Sequence, residues 1–273
     1  MPLFRRQVIK PTADLGAVGY IGINNITNVS EQNAINDFAL GLKTLGLYST
    51  SVFYPLRSSQ SIASGTTAYS CGGLGTYNAT ISTTPTWGSN GISFSGGGTL
   101  RNDLLATVIR SANAYSTILI CSNAATGTVN FGVLKGGGSN QTGDNYTAFA
   151  RQYNFLQQTQ IYLTGGDNSR SFGSLTFNSS GFQFFGSTRN GLSAPSTNTG
   201  SVILNGTTNS SLSGTGNLPS TNPFSENFYL FGASGTGNEF SFVMITTSAL
   251  SSADMQSVRS LYIATLGIGL GLP

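Results

Sequence analysis

Apolar residues along this chain follow two different rhythms. Between Ser30 and Leu45 they return at helical spacing, with Ile35, Phe38, Leu42 and Leu45 on one face. Ser30 is the expected N-cap, because its hydroxyl can accept from the free amides of the first turn. Glu31 sets a negative charge at the positive end of the helix dipole, and Gly46 suits a left-handed residue after the last turn. A second helix is expected near the other end. Ser251 and Asp254 have the spacing of a capping box, Met255, Val258 and Tyr262 form an apolar face, and Gly267 ends it.

From Tyr48 to Phe231 the rhythm shortens to β runs between Gly, Asn and Ser turns, and one more run follows at Glu239 to Ile245. The expected strands include Ile92 to Phe94, Ser116 to Cys121, Val129 to Leu134, Gly181 to Phe185, Val202 to Leu204, Asn227 to Phe231 and Glu239 to Ile245. In the last of these Phe240, Phe242 and Met244 are expected to share a face, since strand side chains alternate. Asn205-Gly206 reads as a hairpin turn, because both residues tolerate positive φ. Many short strands with frequent turns predict an antiparallel sandwich. Residues 1–28 keep no period, interrupted by Pro2, Pro11, Gly16, Gly19 and Gly22, and read as an extended arm with apolar points at Leu3, Phe4, Val8, Ile9 and Ile21. The last residues alternate Leu or Ile with Gly and read as an apolar, non-helical tail. The expected division is an arm over 1–28, a sandwich over 29–267 and a tail over 268–273. Ser-Gly-Thr-Gly-Asn and Gly-Asp-Asn each occur twice. Two copies are too few for a stacked repeat, so these are recurrent turns.

Composition sharpens this picture. Of 273 residues only 8% are charged, yet 38% are hydrophobic and 11% aromatic, which is the make-up of a chain that folds and not of a disordered one. Twelve basic and nine acidic residues leave a net charge of +3. Arg5, Arg6 and Lys10 are the one basic cluster, and without a dense basic patch nucleic-acid binding is not expected. No apolar run reaches membrane-spanning length, so no membrane insertion is expected. No signal-peptide core follows the first charges, so the expectation is synthesis in a host cytoplasm without standard export. Asn-x-Ser/Thr triplets such as Asn25-Ile26-Thr27 and Asn145-Tyr146-Thr147 follow from the abundance of these residues and are not read as glycosylated.

The chain has no histidine, which removes Ser-His-Asp and Cys-His catalysis and His-ligated metals. Cys71 and Cys121 are too few for a disulfide framework or a four-cysteine zinc site, and free thiols are expected unless the fold pairs them. The glycine clusters at 96–98 and 136–138 lack the following Lys-Ser or Lys-Thr of a phosphate loop. Asp144 and Asp167 could offer oxygen ligands to calcium, but each precedes an Asn and reads as a turn. No cofactor or metal is expected, and no two of the nine acids are spaced as a glycosidase pair. The chain is therefore not expected to be an enzyme. Aromatic residues in polar surroundings carry more promise: Trp87, Tyr69, Tyr77, Tyr146, Tyr153 and Tyr162. An aromatic face stacks on the C–H face of a sugar while neighbouring amides bond its hydroxyls, and Trp87, Tyr146 and Tyr153 are the candidate glycan contacts. The alternative for each is core or subunit packing.

The order of helix, strands and helix resembles the laminin-G-like, concanavalin A-like domains of tailed-phage and prophage proteins. The resembling segments are residues 34–48, Phe53-Tyr54-Pro55-Leu56, residues 75–80, residues 87–96, residues 249–255 and Ala264-Thr265-Leu266-Gly267. The resemblance implies a mainly-β, two-sheet jelly-roll sandwich and a surface role on a phage particle. The Glu-x-Asp-x-x-Glu pattern of the glucanase branch of that fold is absent. The leading functional expectation is a structural virion protein, a capsid decoration, head fibre or tail protein, homo-oligomeric and bound to other virion proteins. Its docking residues would be Leu3, Phe4, Arg5, Arg6, Val8, Ile9 and Lys10 of the arm and Ile268, Leu270 and Leu272 of the tail, which are expected to have little to bury against within one sandwich. On that reading deletion of residues 1–28 leaves the sandwich folded. The alternative is a glycan-binding module for host attachment, with an aromatic-lined groove on the concave sheet. A glycoside hydrolase would require two distant acids to converge.

Overall fold

The computed structural model describes residues 13–112, 114–122, 128–135, 146–153, 158–162, 175–176, 181–190, 197–215, 227–234 and 237–273. In chain order they form α1 (Leu15–Ile23), α2 (Val29–Thr44), β1 (Ser51–Pro55), β2 (Thr67–Ala68), β3 (Ala79–Ile81), β4 (Thr86–Trp87), β5 (Ile92–Ser93), β6 (Gly98–Arg101) and α3 (Leu104–Ala112). The strands β7 (Ala114–Ser122), β8 (Thr128–Lys135), β9 (Tyr146–Tyr153), β10 (Gln158–Tyr162), β11 (Leu175–Thr176) and β12 (Phe182–Asn190) follow. The chain closes with β13 (Thr197–Leu204), β14 (Thr207–Thr215), β15 (Asn227–Ser234), β16 (Glu239–Thr246) and α4 (Ser252–Ala264).

The strands make two antiparallel sheets. Sheet A runs β14-β13-β12-β7-β16-β5-β4, with β1 also paired to β16, and sheet B runs β11-β10-β9-β8-β15-β6-β3-β2. The mainly-β, two-sheet sandwich expected from the strand pattern is what the chain forms, with an early and a closing helix. Asn205 and Gly206 both take positive φ between β13 and β14, as a tight hairpin requires.

Two cores hold the layers together. Between the sheets, Leu100, Leu230 and Phe231 of sheet B meet Leu119, Phe185, Val243 and Ile245 of sheet A. Phe231 and Phe240 stack across the gap with ring centroids 4.1 Å apart. The second core lies on the other face of sheet A. There Phe53, Ile118, Ile120, Phe184, Phe242 and Met244 pack against Ala17 and Tyr20 of α1, Ile35, Phe38 and Leu42 of α2, and Met255, Val258 and Tyr262 of α4. Phe38 sits edge-on to Phe53 at 5.0 Å and to Phe242 at 5.4 Å. The order is helices, sheet A, sheet B. Sheet A is buried on both faces, which is why β7 and β16 are nearly continuous apolar runs instead of alternating ones.

The structure corrects several expectations. Phe240 does not share a face with Phe242 and Met244. The β16–β7 ladder shifts between Phe240 and Phe242, and this bulge reverses the side on which the chain projects, placing Phe240 between the sheets and the other two under the helices. Buried Ser241 at that point shares a hydrogen bond with Tyr262 Oη at 3.1 Å.

The span 1–28 is not an extended arm throughout, because residues 15–23 are helical. Asp14 caps α1 by accepting from the Ala17 amide at 2.8 Å, and Ala17, Tyr20 and Ile26 are buried in the second core. Deleting residues 1–28 would therefore remove core residues, against the expectation that it spares the fold. Leu3, Phe4, Arg5, Arg6, Val8, Ile9 and Lys10 lie outside the described residues. The N-cap of α2 is Asn28, which accepts from the Ser30 and Glu31 amides, and not Ser30. The capping box of Ser251 and Asp254 forms as expected. Helix α4 stops at Ala264, before the expected Gly267. Helix α3 was not foreseen.

The tail also finds a surface of its own. Leu266 and Leu270 are buried in the second core and Leu272 packs against it, while Ile268 stays 62% exposed. Arg57 Nη1 donates to the carbonyls of Leu266 and Ile268, both at 3.0 Å, and Gln60 Nε2 donates to Leu266 O at 3.0 Å. The premise that the tail lacks anything to bury against is overturned for Leu270 and Leu272.

Candidate binding groove on the open face of sheet B

The outer face of sheet A is covered by helices, so the described face left open for a ligand is that of sheet B. Three of its eight strands, β3, β6 and β15, can be assigned sides, with a bulge after Tyr229 that puts both Leu230 and Phe231 in the core. Ala79 and Ile81 point inward around Thr80, Leu100 points inward beside Thr99 and Arg101, and Phe228 and Leu230 flank Tyr229. Pairing aligns Tyr229 with Arg101 and Arg101 with Thr80, so the three make one row across the sheet. Around that row lies an open groove of about 640 Å³, lined by Asn78, Thr80, Ser82, Thr99, Arg101, Asn102, Asp103, Leu104 and Tyr229.

The groove is held from beneath by Asn102, which is 5% exposed. Its amide donates to Asn78 O at 2.9 Å, its side-chain oxygen accepts from the Leu105 amide at 3.1 Å, and its backbone N–H donates to Phe228 O at 3.0 Å. Through its side chain and backbone together, this one residue ties the start of β3, β15 and the first turn of α3. Asn78 is fixed in turn by Ser70, whose backbone and hydroxyl donate to its Oδ1 at 3.1 and 3.3 Å. Ser82 Oγ accepts from the Thr99 amide at 2.9 Å.

Arg101 and Asp103 form a two-point ion pair, with Arg101 Nε donating to Oδ1 at 2.5 Å and Nη2 to Oδ2. The hydrogen bond that Arg101 donates to Asp103, and the charge of that carboxylate, raise the Arg101 pKa further, so the guanidinium is permanently charged. That guanidinium also lies over the Tyr229 ring, 5.7 Å from its centroid. Leu104 is 69% exposed at the rim. The groove thus combines an aromatic ring, an exposed aliphatic wall, two amides, three hydroxyls and a neutralised charge pair.

Among the residues proposed from sequence, Trp87 sits on β4 of sheet A, half-buried against the inter-sheet core, with Nε1 donating to Gly65 O at 3.5 Å. Tyr146 and Tyr153 occupy opposite ends of β9 in sheet B, opposite Lys135 and Thr128, and their side chains lie outside the described residues. The structure does not bring the three together. Tyr77 packs on the inter-sheet core and Tyr69 on the second core. Tyr229, Arg101 and Asp103 were missed. The signal that could have found them is a polar residue bracketed by inward apolar ones, as in Ala79-Thr80-Ile81 and Phe228-Tyr229-Leu230.

Other chemistry is confined to structural work. Neither cysteine is in a disulfide, and both are buried, on opposite faces of sheet A. Burial pushes the Cys71 thiol up to about 12 and raises that of Cys121 as well, so both stay protonated. Asp14 is 2% exposed and pairs with Lys43, while Tyr48 Oη donates to it at 2.6 Å. Burial pushes its pKa up, but the hydrogen bonds from Lys43, Tyr48 and Ala17 together bring it below the ordinary value of 3.8. Glu31 accepts from Ser59 and Gln60, and Asp254 serves the capping box. Burial raises the Glu239 pKa against a hydrogen bond from Asn90 that lowers it. Asp144, Asp167 and Glu226 lie outside the described residues. Among the described residues no cluster of three or more potential metal ligands occurs, and no helix is long and apolar enough to cross a membrane.

No family model and no curated protein matches the sequence. Solved structures do. A mutant of Trypanosoma rangeli sialidase displaying trans-sialidase activity superposes with a TM-score of 0.57 at 14% identity, over 92% of this chain and 38% of that one. The same organism's sialidase in complex with a difluoro-nononic acid gives 0.55 at 14% identity, over 80% of this chain and 33% of that one. A further structure of Trypanosoma rangeli sialidase gives 0.53 at 12% identity, over 88% and 40%. The chain spans 33–40% of the length of these sialidases. At such identity the likeness is one of fold, and it agrees with the two-sheet sandwich.

Proposed function

We propose that this chain is a glycan-binding module, with the Tyr229–Arg101–Asp103 groove as its site. The carrying observation is the row of Tyr229, Arg101 and Thr80 on an uncovered sheet face, braced from below by Asn102. A sugar ring offers an apolar C–H face and a rim of hydroxyls that both donate and accept. Tyr229 and Leu104 supply apolar surface, Asp103 accepts, Arg101 and the amides donate, and the hydroxyls of Thr80, Ser82 and Thr99 do both. Shallow open sites of this kind bind weakly, at about 4–8 kcal/mol. The test is titration of the full chain and of Tyr229→Ala against a broad oligosaccharide panel. Binding by the native chain that Tyr229→Ala removes supports the reading, and silence across the panel overturns it.

A second reading keeps the resemblance to phage surface domains. On it the protein is a structural component of a virion, made in the host cytoplasm, assembled as a homo-oligomer and docked on other virion proteins through residues 1–12 and the adjoining helix. One observation favours it: α1 exposes Leu15 (85%), Val18 (48%) and Ile23 (59%) on its outward side. Normal incorporation of a chain beginning at Ala13 and carrying Leu15→Asp and Val18→Asp would contradict it. The two readings are compatible, because α1 and the groove belong to different layers.

A further inference from the structure

From the charge arrangement of the groove we infer that its ligands are neutral saccharides, and that it discriminates against sugars carrying a carboxylate. The inference rests on the glycan-binding reading and adds the ligand class. Among the described lining residues Arg101 and Asp103 carry the only formal charges, and they cancel each other through two contacts.

An arginine recognises a carboxylate by presenting two parallel N–H groups. Here Nε and Nη2 already present that fork to Asp103, so a sugar acid meets a guanidinium whose edge is occupied. It also meets the Asp103 carboxylate beside it. Like charges at that range repel, and the Arg101 attraction is already offset. A neutral sugar has the opposite experience. Two adjacent hydroxyls can donate to the outer lone pairs of Asp103 without breaking the pair, since each carboxylate oxygen has capacity for a second bond.

Tyr229 fits the same chemistry. The Arg101 guanidinium lies over one face of its ring, so the groove sets a polar group against an aromatic one. Leu104 adds an exposed aliphatic side chain to the lining. The outcome is a site complementary to hydroxyls and C–H faces that leaves no unpaired positive charge among its described residues.

The experiment uses matched tetrasaccharides of glucose, galactose and mannose and their counterparts oxidised to uronates at C6, titrated into the full chain. The native chain is expected to bind at least one neutral tetrasaccharide, and its uronate counterpart about tenfold or more weakly. Asp103→Asn is expected to narrow that gap by strengthening uronate binding, and rising salt to narrow it too. Tyr229→Ala is expected to weaken both members of the pair. Uronate binding equal to or tighter than the neutral partner, with both still lost in Tyr229→Ala, overturns the neutral-ligand inference and leaves the glycan site standing. Absence of binding by every member, or binding indifferent to Tyr229→Ala, overturns the glycan site itself and the inference with it.

Discussion

The outer faces of the two sheets were built under opposite constraints. That of sheet A is covered by α1, α2 and α4, and its residues Phe53, Ile118, Ile120, Phe184 and Phe242 are all buried. That of sheet B around β3, β6 and β15 carries Thr80, Thr99, Arg101 and Tyr229 and is open. Both sheets contribute their inner faces to one core, so the difference is not a matter of stability between layers. A covered face needs apolar residues on both sides of each strand, which commits every position to packing. An open face commits every second position only, and the others are available for recognition. That is why the chemistry collects on sheet B.

Removing Phe242 on the covered face should cost the most. Phe242 touches Phe38, Phe53 and Tyr262. Phe242→Ala is expected to lower unfolding stability by about 3–5 kcal/mol, read from denaturant midpoints. A loss like that of a surface substitution would show that the helical layer is not a true core.

Truncation probes the same layer from its edge. A chain starting at Ser30 loses Ala17, Tyr20 and Ile26 from the second core and is expected to be about 2–4 kcal/mol less stable than one starting at Ala13. Equal stability of the two would return residues 13–28 to the status of a free arm.

Acid should loosen α1 before the rest. The Asp14 pKa is lowered in the fold, so its contribution is complete above the unfolded value of 3.8 and is lost as pH falls through the lower folded value. Amide protection factors in residues 15–23, taken relative to the intrinsic rate at each pH, should therefore fall below about pH 4, and Asp14→Asn should abolish that dependence. Unchanged α1 protection in acid would detach the helix from the Asp14–Lys43 pair.

On the open face the same kind of truncation should scarcely register in stability. Tyr229→Ala is expected to cost under about 1 kcal/mol, because its side chain is half in solvent. A loss comparable to that of Phe242→Ala would mean that Tyr229 is a packing residue and would weaken its assignment to a site.

Much of the fold was legible. The periods of α2 and α4, the capping box at Ser251, the hairpin at Asn205-Gly206 and seven of the sixteen strands among the described residues follow from spacing alone. What spacing could not give was the third layer. Residues 15–23 contain three glycines, and their helix depends on the Asp14 cap and on Tyr20, whose Oη donates to Gln60 O at 2.7 Å. That is a tertiary contact forty residues away. The bulge near Ser241 was invisible for the same reason: alternation in one strand carries no record of the register with its partner. The groove was illegible as a site because it joins β3, β6 and β15, and only pairing sets Tyr229 beside Arg101. Trp87 and Tyr153 were chosen for being aromatic in polar company, which does not say which sheet or which end they occupy.

The central claim is that the open face of sheet B binds saccharide through the row of Tyr229, Arg101 and Thr80. Amide chemical-shift mapping of the full chain with the tightest oligosaccharide of the panel tests it most directly. The account predicts perturbations concentrated in residues 78–82, 99–104 and 227–231. Shifts centred instead on α1, on β4 and β5 near Trp87, or on the two ends of β9 would contradict it.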